Sequence, residues 1–130
     1  MITTQQQLDE LARNLKSVPW VSVDTEANSM YAYPERVCLL QLASVDEMEA
    51  IIDPLVPNLD LVPLLKVLQN TPLIMHGADY DLRLLFKGYR FRPRELFDTM
   101  LAGKLLGAES CGLASLCEEY MGIHLIKKFQ

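Results

Sequence analysis

The stretch WVSVDTEA, residues 20–27, is an apolar run that carries two acids, Asp24 and Glu26, two positions apart. Read as a strand, it sends both carboxylates to one face and Val21, Val23 and Thr25 to the other. Whatever fold accepts this segment must cover the valine face and must also settle two like charges side by side. Adjacent carboxylates on a core strand repel each other and are costly to desolvate. A divalent cation removes both objections, and Mg²⁺ or Mn²⁺ favours such oxygen donors. The D-x-E pattern is short and common, so a strand that ends near Val23 and opens into a solvated VDTEAN loop accounts for the same residues.

The neighbouring segments decide what this strand can join. Thr3 and Thr4 precede QQQLDELARNLKSV, where Leu8, Leu11 and Leu15 recur at helical spacing, a pattern that predicts a capped amphipathic helix. Residues 36–44, between Pro34 and Asp46–Glu47, and residues 48–53, stopped by Pro54, read as two more strands of an antiparallel meander. Residues 59–70 form a helix that tolerates Pro63 in its first turn. A short buried strand at 71–76 ends at Gly77, and a helix follows at 78–87, with Leu82, Leu85 and Phe86 on one face and Gly88 near its C-cap. Leu96–Phe97 leads into Asp98–Thr99, which can cap a helix running to Leu106, and residues 112–121 form a last helix closed by Gly122. Strands first and helix–strand–helix later predict an α/β fold, a mixed sheet with helices packed on its faces.

At 130 residues the chain suits one domain, and no linker or repeat marks a boundary. Its net charge of −5 argues against a broad basic surface that holds nucleic acid by phosphate neutralisation. It leaves room for a nuclease whose acids gather around cations. Cys38, Cys111 and Cys117 are an odd set without a CxxC pair, which suggests reduced thiols rather than disulfides or zinc. With neither a secretory signal pattern nor a membrane-length apolar run, a cytoplasmic protein with no membrane partner is expected.

A second acidic cluster follows the 71–76 strand. In HGADYDLRLL both Asp79 and Asp81 fall on the first turn of the predicted helix. Asp79 is explained by the helix dipole. Asp81 adjoins the buried stripe, where an unpartnered carboxylate is expensive, so a ligand role suits it better.

Taken together, VDTEAN, the YPERVCLLQLAS strand, HGADYDLRLL and FDTMLAGKLLG resemble the DEDD superfamily of proofreading-type 3′–5′ exonucleases. Within it the likeness is to the ribonuclease D group, which includes the Werner-type exonuclease domains. It covers the chain from about Leu8 to Gln130. The resemblance implies a ribonuclease H-like fold and places the first motif's acids on Asp24 and Glu26 and the second's on Asp81. It implies two Mg²⁺ or Mn²⁺ ions that hydrolyse single-stranded nucleic acid from its 3′ end to nucleoside 5′-monophosphates. Asp24 would bridge both ions, Glu26 would hold the nucleophile-side ion, and Asp81 would act on the other largely through waters. Thr25, Met30 and Tyr80 match positions that approach the substrate, and Asp98 matches a structural aspartate.

HGADYD also satisfies H-x-A-x-x-D, the third-motif spacing of the superfamily's histidine branch, in which His76 would be a general base. Its nearness to Asp24 and its leading apolar strand favour the second motif, and leave His76, like His124, a hydrogen-bonded structural residue. The tyrosine branch needs a late Y-x-x-x-D, and Tyr31, Tyr33, Tyr80, Tyr89 and Tyr120 are followed four on by Glu35, Val37, Leu84, Pro93 and His124. The tail GIHLIKKFQ resembles the segment just before that motif, so the domain is expected to be incomplete at its C-terminus. Its last helices would be missing, its own activity low, and an apolar surface left open to dimerisation. RNA, such as a tRNA precursor, is the favoured substrate. A Werner-type DNA exonuclease and a catalytically impaired nucleic-acid or protein interaction module are the competing readings.

Overall fold

A computed structural model describes residues 1–30 and 33–126. The chain opens with α1 (Gln5–Asn14), extended by one 3₁₀ turn (Leu15–Ser17). Thr4 caps it as expected: its hydroxyl accepts from the Gln7 N–H while the Gln7 side chain accepts from the Thr4 N–H. The meander follows as β1 (Val21–Ala27), β2 (Val37–Ser44) and β3 (Glu49–Ile52). Next come α2 (Val62–Asn70), with Pro63 in its first turn, and β4 (Leu73–Met75). The last elements are α3 (Asp79–Tyr89), β5 (Leu96–Asp98), α4 (Thr99–Leu105) and α5 (Leu113–Met121).

The five strands form one sheet in the order β3-β2-β1-β4-β5. β1 lies at its centre, antiparallel to β2 and parallel to β4, which in turn runs parallel to β5. The expected mixed sheet is therefore present. Register divides its two faces. Val21 and Val23, together with Leu40, Leu42, Ala50, Ile52, Leu73 and Met75 of the neighbouring strands, join one buried cluster with Leu8, Leu11 and Leu15 of the first helical segment, Leu64 and Leu68 of α2, and Leu84 and Leu85 of α3. The other face carries Ser22, Asp24 and Glu26, with Ala43, Gln41 and Leu39 opposite them, and no helix covers that stretch to the same depth.

Two details depart from the pattern reading. β5 was expected only as a lead-in to a helix; its residues Leu96 and Phe97 are exposed, and pairing with β4 rather than an apolar alternation makes it a strand. Helix α3 runs past Gly88, and Arg90 takes the left-handed cap at φ 56°, donating its N–H to the Phe86 carbonyl. Apolar side chains are exposed on α4 and α5 and at their ends. Leu105, Leu106 and Met121 are exposed there, beside a cavity of about 280 Å³ lined by Phe97, Leu113 and Leu116. The helices meet closely at Gly103, where an added Cβ would stand 3.0 Å from a Leu116 methyl.

Candidate active site

β1 brings Asp24 and Glu26 to the bare face of the sheet, as alternation predicts, and both side chains are exposed rather than sunk in a core. The desolvation cost anticipated from the apolar strand is correspondingly smaller. Their mutual repulsion remains. Partial burial, then the charge of Asp81, then that of Glu26, hold the Asp24 carboxyl above its ordinary range. The Thr25 backbone N–H and the nearby His76 pull the other way. Asp24 is thus where two further carboxylate charges converge.

Asp81 reaches this point from the first turn of α3. Thr25, on the opposite side of β1 from Asp24, donates its hydroxyl to Asp81 Oδ1 at 2.5 Å. That bond ties α3 to the central strand and sets the carboxylate's direction. The side chain of Thr25, a residue expected to approach substrate, faces Asp81. Asp79 is turned away and pairs with Arg83 one turn on, an exposed ion pair consistent with the helix-terminus reading.

The start of α3 is fixed from a second direction. Ala78, its N-cap, brings no capping side chain. Asp98 Oδ1 accepts the Gly77 N–H at 3.0 Å, and Oδ2 accepts the Ala78 N–H at 2.9 Å. The same carboxylate caps α4 through Met100 and Leu101. Burial alone would push the Asp98 carboxyl up, but these four backbone donors outweigh it and hold the group below its usual range. The expected cap is there, and it serves two helices. Gly77 is needed in the turn between β4 and α3, where φ is +68° and a Cβ would also meet the end of Met100 at 2.8 Å.

His76 Nδ1 lies 2.8 Å from the Thr99 hydroxyl, which itself donates to the Met75 carbonyl. With its one hydrogen so placed, Thr99 accepts from Nδ1–H, which makes His76 a hydrogen-bonded residue as expected. His124 is exposed, 3.6 Å from Glu118. Met30 and Tyr80 both face solvent, 86% and 49% exposed, free to meet a ligand. Tyr31 and the tail from Lys127 onward lie outside the described residues.

The donor chemistry suits a hard divalent cation: carboxylate oxygens from two elements, with repulsion that a cation would relieve. Among the described residues, no three His, Cys, Asp or Glu side chains are yet grouped closely enough to hold a metal ion as they stand.

A 3′–5′ exonuclease family model matches residues 1–130. The chain belongs to the 3′–5′ exonuclease family. It is 35% identical over 131 residues to ribonuclease D of Zymomonas mobilis, covering 98% of this chain and 33% of that protein. It is also 35% identical over 133 residues to the exosome complex component 10 homolog of Caenorhabditis elegans, covering 100% of this chain and 15% of that one. The crystal structure of Escherichia coli RNase D, described as an exoribonuclease involved in structured RNA processing, superimposes with a TM-score of 0.88 at 31% identity, over 98% of this chain and 34% of that one. The catalytic core of RRP6 from Trypanosoma brucei gives 0.88 at 26% identity, over 98% and 35%. The exonuclease chain thus spans about a third of the length of its ribonuclease D relatives. Its mixed sheet with flanking helices is the RNase D exonuclease fold, a ribonuclease H-like one.

Proposed function

We propose that this chain carries a divalent-metal-dependent 3′–5′ exonuclease site acting on RNA, with Asp24, Glu26 and Asp81 as three of its metal ligands and a low activity of its own. What supports the reading is that β1 presents Asp24 and Glu26 on one exposed face while the Thr25 hydroxyl between them ties Asp81, from the first turn of α3, to the same strand. Bound Mg²⁺ or Mn²⁺ would supply water activation and charge neutralisation at the scissile phosphate. The residues of the chain do the positioning. Thr25 aims Asp81, and Asp98 anchors the turn from which α3 starts. Tyr80 offers a ring on which a terminal base can stack, with Met30 as a second exposed contact. The names of the relatives, ribonuclease D and an exosome component, favour RNA over DNA.

Calorimetric titration with Mn²⁺ tests the site directly. The wild type is expected to bind saturably, and a chain that takes up no Mn²⁺ would end the reading. Thr25→Val keeps the shape but removes the hydrogen bond to Asp81, and should weaken Mn²⁺ binding by about 10-fold, the effect of losing an outer-shell partner. Unchanged affinity in that variant would remove Thr25 from the site. With 5′-labelled strands of one sequence, RNA should shorten from its 3′ end faster than DNA; the reverse order would reassign the substrate.

The apolar face of α4 and α5 also supports self-association. Sedimentation should show a concentration-dependent dimer that Leu106→Glu disperses, and a monomer at all concentrations would refute it.

A further inference from the structure

The chain is acidic overall, yet its positive charge is concentrated in one place. Residues 83–94 read RLLFKGYRFRPR, with five cations and no acid. Two of the cations are engaged: Arg83 by Asp79, and Lys87 by Glu35 at 3.9 Å. Arg90, Arg92 and Arg94 are all exposed, and among the described residues none stands within ion-pair distance of a carboxylate.

Phe91 anchors the segment that carries them: after the left-handed cap at Arg90 it turns inward, 5% exposed, and leaves Arg90 and Arg92 on either side of it in solvent, with Arg94 exposed two residues on. The segment is held at both ends, by the Arg90 N–H on the Phe86 carbonyl at 2.9 Å and the Arg94 N–H on the Gln69 carbonyl at 3.2 Å. Two of the guanidiniums are also restrained: those of Arg90 and Arg92 lie 5.2 and 4.4 Å from the centroid of the Phe86 ring. Stacking of this kind holds Arg in place while leaving its N–H donors free for phosphate.

We propose that residues 90–94 form a phosphate track that holds the RNA backbone upstream of the 3′ terminal nucleotide. The inference rests on the exonuclease reading, because Asp81 and Arg90 belong to one helix and its cap, roughly 13 Å apart along the axis. A strand whose 3′ end sits at Asp24 and Asp81 would pass around α3 to reach the arginines, because Arg92 lines a groove with Asp79, Arg83 and Phe86. The net charge of −5 rules out a broad basic surface but not a narrow stripe.

The test is fluorescence anisotropy on the whole chain in EDTA, with 5′-labelled oligoadenylates of about 4 and about 12 nucleotides. The longer strand should bind more tightly, and only its binding should depend on the stripe. Substituting Arg90, Arg92 and Arg94 by Gln should weaken the long strand by about 20-fold at low salt, and should lower the slope of log affinity against log salt by about 2, the value for three phosphates of a single strand. The triple Lys variant should keep most of the affinity, because charge is retained. Arg92→Gln with Arg94→Gln leaves the cap of α3 intact and should show an intermediate loss. No loss in either Gln variant, an equal loss for both lengths, or displacement of RNA by polyglutamate at matched charge would each overturn the track. Asp24→Ala separates the two readings: it should leave long-strand binding in EDTA intact while abolishing metal-dependent shortening. Shortening that survives Asp24→Ala refutes the exonuclease site alone, and wild-type-like binding by the triple Gln variant refutes the track alone.

Discussion

Asp98→Ala is expected to lower the melting temperature by about 10 °C. One carboxylate accepts four backbone N–H groups, two ahead of α3 and two in the first turn of α4. Each hydrogen bond to a charged acceptor contributes about 1.5–3 kcal/mol, but four on one group do not add fully. Loss of an N-cap alone costs about 1 kcal/mol. A total near 3 kcal/mol is the reasonable sum, since Leu101 at the start of α4 is exposed and its N–H can turn to water, whereas Ala78 is buried. Asn at 98 keeps one acceptor oxygen and should recover part of the loss, while the Ala78 N–H then faces an amide nitrogen.

The same carboxylate carries a pH signature. Held below its usual range by those donors, Asp98 stabilises the fold fully above the ordinary carboxylate value of about 3.9. That contribution is lost as the pH falls through the lowered native value. The melting temperatures of the wild type and Asp98→Ala should therefore differ at neutral pH and converge under acid. A gap that stays constant down to about pH 2.5 would contradict the assignment. Because Gly77 and Ala78 lead directly into α3, the Ala variant should also bind Mn²⁺ more weakly, through a loosened Asp81.

Much of this was legible in the residues because the signals were local. Alternation in residues 20–27 placed the two acids of β1 on one face, and the nearness of Asp81 to the apolar stripe of its helix set it apart from Asp79. What escaped depended on contacts between distant segments. β5 is three residues long, half-exposed, and a strand only because β4 lies beside it. The hydroxyl of Thr25 reads from alternation as a core-facing group, and nothing in the sequence says that Asp81 of α3 waits there. Gly88 looked like a helix terminator, but Arg90 accepts the left-handed conformation and stacks on Phe86. Asp98 read as the cap of the helix it precedes; its hold on Gly77 and Ala78 requires the parallel pairing of β4 with β5. Net charge hid the arginine stripe, because a sum over the chain discards position.

Asp24→Asn should separate stability from activity. The substitution preserves shape and removes one of three converging negative charges, so repulsion from Asp81 and Glu26 is relieved. The variant is expected to melt at the same temperature as the wild type or slightly above it, since an exposed group screened by water contributes little either way. Its metal-dependent hydrolysis should collapse. A metal ion contributes several kcal/mol of charge stabilisation to phosphoryl chemistry, and about 4 kcal/mol corresponds to roughly a 10³-fold change in rate. The natural residue would then be one that destabilises the empty fold in return for holding cations, a trade common at functional sites. Asp79→Asn is the matched control: the same chemical change, two residues from Asp81, on a carboxylate paired at the surface with Arg83. It should leave hydrolysis within about 2-fold of the wild type, because exposed pairs of this kind contribute little. Equal losses in the two variants would mean that bulk negative charge, and not the placement of Asp24 beside Asp81, governs the reaction. A fully active Asp24→Asn would move the metal site off β1 altogether.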